Sequence, residues 1–89
     1  MKIETFIEEN YSAIVKRGLI NSNTTKDDFM EKLYEEFLEV MGATDEEHRS
    51  HEIVDVISVC FNWLEHFNTT DEVIKLLKFN IENNIKRAK

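Results

Sequence analysis

Residues 35–55 read EEFLEVMGATDEEHRSHEIVD, and this stretch decides the fold. Glu35-Glu36-Phe37-Leu38-Glu39 and, after twelve residues, Glu52-Ile53-Val54-Asp55 set carboxylates inside runs that otherwise read as apolar helix. Unpaired negative charge at the edge of a core is costly, so these residues require a cation to meet them. Between the two groups, Gly42 suits the left-handed conformation that closes many helices, and Thr44 with Glu47 has capping-box spacing. The stretch therefore reads as a helix running to Met41, a turn, and a further helix over residues 45 to 67.

Outward from this turn the same signals recur. Thr24 or Thr25, with Asp27 or Asp28 three residues on, begins the helix that ends at Met41. Upstream, Ile3, Phe6, Ile7, Tyr11, Ile14 and Val15 recur at three-and-four spacing, which predicts a first helix over residues 3 to 20, ended by Asn21-Ser22-Asn23. Downstream, Thr69 and Glu72 form a box before Val73, Ile74, Leu77 and Ile81, predicting a fourth helix to residue 86. The chain has no proline and two glycines, so little interrupts these helices. No repeat, linker or low-complexity segment divides them, and short connections suit antiparallel neighbours. The expected fold is all-α, a compact four-helix bundle in a single domain over residues 1–89.

A chain of 89 residues buries only about 60 to 65% of its unfolded surface. Its 42% hydrophobic content, with six Phe, excludes general disorder. Val54, Ile57, Phe61 and Leu64 spread apolar surface around the third helix beyond what one face needs. The bundle is therefore expected to be completed by oligomerisation, as a homodimer or, second, a tetramer. A net charge of -7 argues against binding a nucleic acid polymer, which takes clustered Lys and Arg. No membrane span is expected, since the longest apolar segment, residues 53 to 64, is broken by Asp55, Ser58 and Asn62. The single cysteine, Cys60, cannot form an internal disulfide, and MKIETFIEEN lacks the apolar core of a signal peptide, so a cytoplasmic location is expected.

On a helical projection Glu36 borders the stripe of Phe29, Leu33 and Val40, with Glu39 one turn away on the same edge and Glu35 closer to solvent. Glu52 is flanked by Val56, Val59 and Trp63, with Asp55 one turn away; Ser58, Asn62 and His66 continue a polar seam. If the two helices pack antiparallel at about 8 to 10 Å between axes, Glu36, Glu39, Glu52 and Asp55 share one cavity. Each like-charge contact at about 4 Å then costs on the order of 4 kcal/mol, leaving an empty site strained or partly protonated. An all-oxygen donor set selects a hard cation, Mg²⁺ or Mn²⁺.

Other readings of these residues are blander. EEFLE alone is an ordinary solvated helix face, and only its pairing with Glu52 and Asp55 changes that. His51-Glu52-Ile53-Val54-Asp55 misses the HExxH zinc pattern, with aspartate in place of the second histidine. His48 and His51 read as helix-surface residues, and Cys60 as a packed thiol. Ser58 and Asn62 contact a base or sugar, or hydrogen-bond to a neighbouring helix; His66 is a candidate to face substrate; Trp63 belongs to the core or a subunit interface. Lys75, Lys78, Lys86, Arg87 and Lys89 crowd the last helix, where they complement its macrodipole.

EExxE at Glu35, Glu36 and Glu39, a gap of twelve, and ExxD at Glu52 and Asp55 resemble the signature of the MazG-type nucleoside triphosphate pyrophosphohydrolases, within the all-α NTP pyrophosphatase superfamily. Lys32-Leu33-Tyr34 before the first motif and the basic tail KFNIENNIKR fit the same pattern, and the resemblance covers most of the chain. It implies metal-dependent hydrolysis of a nucleotide between its α and β phosphates, releasing a monophosphate and pyrophosphate. By motif position it implies that Glu36, Glu39, Glu52 and Asp55 hold Mg²⁺, with Glu35 assisting through water. Lys32, Asn62, His66, Lys78 and Arg87 are the candidate substrate contacts. Phosphoribosyl-ATP pyrophosphohydrolase is a near alternative, but the tyrosine and histidine usual after its aspartate are replaced by Val56-Ile57-Ser58-Val59. From another class, the chain reads as a non-catalytic helical interaction module with a vestigial metal site, or a small acidic partner of a basic protein.

Overall fold

Capping chemistry marks where every helix after the first begins. The structure, a computed structural model describing residues 1–88, contains four: α1 (Ile3–Lys16), α2 (Lys26–Gly42), α3 (Glu46–Phe67) and α4 (Thr70–Arg87), with no strand among the described residues. Thr25 and Asp28 form a reciprocal box at the start of α2, and Thr69 and Glu72 another at the start of α4. In the second box the Thr69 backbone N–H donates to Glu72 at 3.0 Å, which holds the Glu72 carboxyl below the usual range. The first residue of α3 follows Asp45, whose carboxylate accepts from His48 N at 2.8 Å. The cap is thus Asp45 and not Thr44, because an aspartate one residue further on offers the same acceptor.

The two glycines exchange the roles expected of them. Gly42 is the last residue of α2, whereas Gly18 has φ +77° and closes α1. Gly18 N donates to Val15 O at 2.9 Å and Leu19 N to Ile14 O at 3.3 Å, the paired bonds of a Schellman ending. α1 therefore stops at Lys16, four residues short of the expected boundary, and Leu19 and Ile20 turn back towards the rest of the fold.

α3 is the hub, touching all three other helices, while α2 packs on α3 alone. Ile7, Ile20, Phe29, Ala43, Val59 and Val73 are the buried apolar residues. Aromatic contacts tie the helices together: Phe6 meets Phe61 edge-on at 5.8 Å, and Phe29 stacks on Trp63 at 5.8 Å. The four helices do not close into a compact bundle. The radius of gyration is 14.5 Å, against about 12 Å for a compact chain of this length.

Part of the openness lies on one side of the α2–α3 hairpin. On the arc of α2 opposite Glu35 and Glu39, Met30, Phe37 and Met41 are exposed; on the arc of α3 opposite Asp55, so are Ile53 and Ile57. Cys60 lies on this back face too, exposed and not packed as expected, its thiol pushed up by partial burial. Of the residues expected at a subunit interface, Val54 and Ile57 are exposed, while Phe61 and Leu64 are half-buried and Phe61 is already engaged by Phe6. Lys89 lies outside the described residues. No helix among the described residues is long and apolar enough to cross a membrane.

Candidate metal centre and adjoining cleft

The α2–α3 turn positions the acidic residues. Only residues 43 to 45 separate the two helices, and Arg49 secures the turn by donating to Ala43 O at 3.0 Å and pairing with Glu46. Glu36 lies six residues before the end of α2 and Glu52 six residues after the start of α3, each about 9 Å along its helix. They come level, with Glu39 one turn nearer the bend and Asp55 one turn farther from it. One carboxylate oxygen from each of Glu36, Glu39, Glu52 and Asp55 lies within 4.8 Å of the others.

Burial makes this arrangement costly as it stands. Glu36 is 8% exposed and Glu52 is half-buried, yet each has one oxygen, Oε2, that is buried and without any hydrogen-bond partner. A buried polar atom left unpaired costs about 1 to 3 kcal/mol, and a charged one more. The other oxygen of each residue is met from its own helix: Lys32 Nζ lies 3.1 Å from Glu36 Oε1, and His48 Nε2 lies 3.1 Å from Glu52 Oε1. The hydrogen bond to Glu36, together with the charges of Glu36 and Glu35, holds the Lys32 ammonium above the ordinary lysine range. One side of each carboxylate is thus compensated and the other is not. Two unpartnered oxygens within an all-oxygen set fit a hard divalent cation, which four carboxylates could hold.

Glu35 stays outside the group of four, more than half exposed and 3.6 Å from Lys32 Nζ. It does line a cleft of about 520 Å³ bounded by the end of α1, the α1–α2 loop, α2 and α3. Glu36 and Asp55 form one edge of this cleft, and Lys32, Ser58, Asn62 and Arg17 add polar groups to walls of Ile14, Ile20, Phe29 and Val59. On the turn side, Glu39 and Glu52 line a shallower notch with Gly42 and His48.

The remaining sequence candidates divide. Lys32 and Asn62 belong to the cleft. His66 does not: its Nε2 donates to Thr24 O at 3.1 Å and its Nδ1 is 2.8 Å from Tyr11 OH, so both ring nitrogens hold the fold together. The bond to Thr24 pins the α1–α2 loop over α3, which makes His66 a support of the cleft wall. Burial and the nearby Glu65 push the Tyr11 hydroxyl up, keeping it a donor to that ring. Lys78 and Arg87 are exposed on α4, which packs on α1 and α3 and makes no contact with α2, so neither reaches the cleft. Sequence reasoning missed Arg17. The signal for Arg17 was Gly18: once Gly18 ends α1, its neighbour marks where the chain bends back across the cleft.

Comparison of the chain with protein-family models, with curated proteins and with solved structures returns no match, so the carboxylates and their cleft carry the functional reading.

Proposed function

We propose that this protein is a Mg²⁺-dependent nucleotide pyrophosphohydrolase of the MazG type, converting a nucleoside triphosphate and water to the monophosphate and pyrophosphate. The observation that carries the reading is the pair of buried, partnerless oxygens of Glu36 and Glu52 within the group of four carboxylates, of which Glu36 and Asp55 edge a cleft of about 520 Å³. The EExxE and ExxD pattern supports it independently, since it falls on the same residues.

Glu36, Glu39, Glu52 and Asp55 would hold Mg²⁺, with Mn²⁺ as a substitute. The ion, when bound, neutralises phosphate charge and makes its bound water more acidic. Lys32, already between the acidic group and the cleft, holds a non-bridging phosphate oxygen. Glu35, beside Lys32 at the cleft wall, orients the attacking water and accepts its proton as the water adds to the α phosphorus and pyrophosphate departs. No protein nucleophile takes part, in keeping with an exposed Cys60 far round α3 from the carboxylates.

The same reading makes the chain a cytoplasmic homodimer, with a tetramer as the next assembly. Its support is the back face of the α2–α3 hairpin, where Met30, Phe37, Met41, Ile53 and Ile57 are all exposed. Two such hairpins back to back make a four-helix core, and about 800 Å² per partner is a typical stable contact.

A pyrophosphate-release assay over a nucleotide panel, with Mg²⁺, Mn²⁺ or chelator, tests the activity. Metal-dependent release of monophosphate and pyrophosphate is expected. Release of orthophosphate would overturn the α–β assignment, and a folded, metal-binding but inactive protein would favour the interaction module.

A further inference from the structure

Asn62 is 5% exposed, the most deeply buried polar side chain among the described residues, and it lines the cleft. Its carbonyl oxygen Oδ1 accepts from Asn10 Nδ2 at 3.4 Å, and the other hydrogen of that Asn10 amide is given to Ser58 Oγ. Asn10 thus gives both its donors to α3, and in this arrangement Asn62 presents its carbonyl to Asn10. Asn62 Nδ2 has no hydrogen-bond partner among the described residues and is not one of the buried unpartnered atoms, so it remains accessible from the cleft that Asn62 lines.

Position then says what those donors meet. Asn62 follows Asp55 by seven residues, about 10 Å along α3, so it lies at the end of the cleft away from Glu36 and Asp55. A nucleotide with its phosphates at the carboxylate end points its base towards Asn62. The sugar tethers the base through N1 of a pyrimidine or N9 of a purine, which leaves the C4 or C6 substituent leading. Ile14, Ile20, Phe29 and Val59 offer apolar surface to the ring faces.

We infer that Asn62, held in orientation by Asn10, selects nucleotides whose base presents a carbonyl at C4 or C6, namely uracil, thymine or guanine, over the amino bases cytosine and adenine. The inference rests on the nucleotide reading above. A keto oxygen accepts from Asn62 Nδ2, whereas an amino group sets donor against donor and leaves the buried amide unpaired.

The test is binding of non-hydrolysable α,β-imido triphosphates of uridine, cytidine, guanosine and adenosine in Mg²⁺. Binding is followed by the fluorescence of Trp63, the only tryptophan, which stacks on the cleft residue Phe29. The keto member of each pair that binds is expected to bind about ten- to a hundredfold more tightly than its amino counterpart. Asn10→Asp sharpens the test, because a carboxylate at position 10 only accepts; Asn62 must then donate to it and turn its own carbonyl to the cleft. That variant is expected to reverse the preference, and an unchanged keto preference in it overturns the inference. If Asn10→Asp fails to fold, Asn62→Asp serves instead, with loss of the keto preference expected and its retention decisive against. Equal affinities in the wild-type protein sink the inference and leave the proposed function standing. No nucleotide binding at all sinks both, whereas a keto preference without pyrophosphate release sustains the cleft assignment and removes only the hydrolysis.

Discussion

The two sides of the α2–α3 hairpin break opposite rules of folding. On the front, Glu36 and Glu52 are taken out of water with an oxygen apiece left unpaired. On the back, Phe37 stays 51% exposed and Met41 67% exposed, although both are apolar. Each side costs stability to an isolated chain, and on the proposed reading each would be relieved by something of different chemistry: a small cation in front, apolar protein surface behind. The two costs have different physical origins and lie on opposite sides of the hairpin, so a change on one side should leave the other intact.

The largest expected effect comes from the front. Glu52→Gln keeps the shape of the side chain and removes its charge, and should lower pyrophosphohydrolase turnover on the order of 10³-fold. Without metal, the same variant should melt no lower than the wild type, because it relieves a like-charge contact. Activity retained to within a few fold would break the assignment of Glu52 to the metal centre.

Metal addition comes next. A cation that binds only the folded chain stabilises it by about 2.7 kcal/mol at one hundred times its dissociation constant, about 10 °C or more for a domain of this size. Melting in millimolar Mg²⁺ against chelator measures it. The rise should vanish in Glu52→Gln, and no rise in the wild type removes the front half of the comparison.

Much of the front was legible in the sequence because it is built from local spacing. Glu36 with Glu39 and Glu52 with Asp55 are one-turn neighbours, and a three-residue turn makes their helices antiparallel. The Thr25–Asp28 and Thr69–Glu72 boxes were legible for the same reason. What escaped depends on the path of the chain. Either glycine can adopt a positive φ, and the path of the chain after α1 gives that role to Gly18. His66 lies on the polar seam of α3, but its partners, Tyr11 and Thr24, come from α1 and the loop behind it, which no projection of one helix displays. Lys78 and Arg87 lie away from the cleft lining, and helix order does not say which face of α3 receives α4.

The back face yields the third prediction. Ile57→Asp places a charge in the middle of the exposed apolar arc and should weaken self-association about thirtyfold, the effect of losing a hot-spot residue worth about 2 kcal/mol. Light scattering across a dilution series measures it. The resulting monomer should keep its Mg²⁺-induced rise in melting temperature, since its carboxylates are untouched. Loss of the rise would mean that the two sides are one coupled unit.

The smallest effect concerns Lys32, whose ammonium would compete with the proposed metal for Glu36. Its side chain is 55% exposed, so solvent screens the 3.1 Å ion pair and Lys32→Met should cost the metal-free protein below about 1 kcal/mol. That loss leaves Glu36 with neither oxygen partnered, which increases the repulsion a cation can relieve. The Mg²⁺-induced stabilisation should therefore grow in Lys32→Met even as the metal-free melting temperature falls slightly. A smaller metal response would show that Lys32 assists the cation and does not stand in for it, and the front face would then be organised around the lysine.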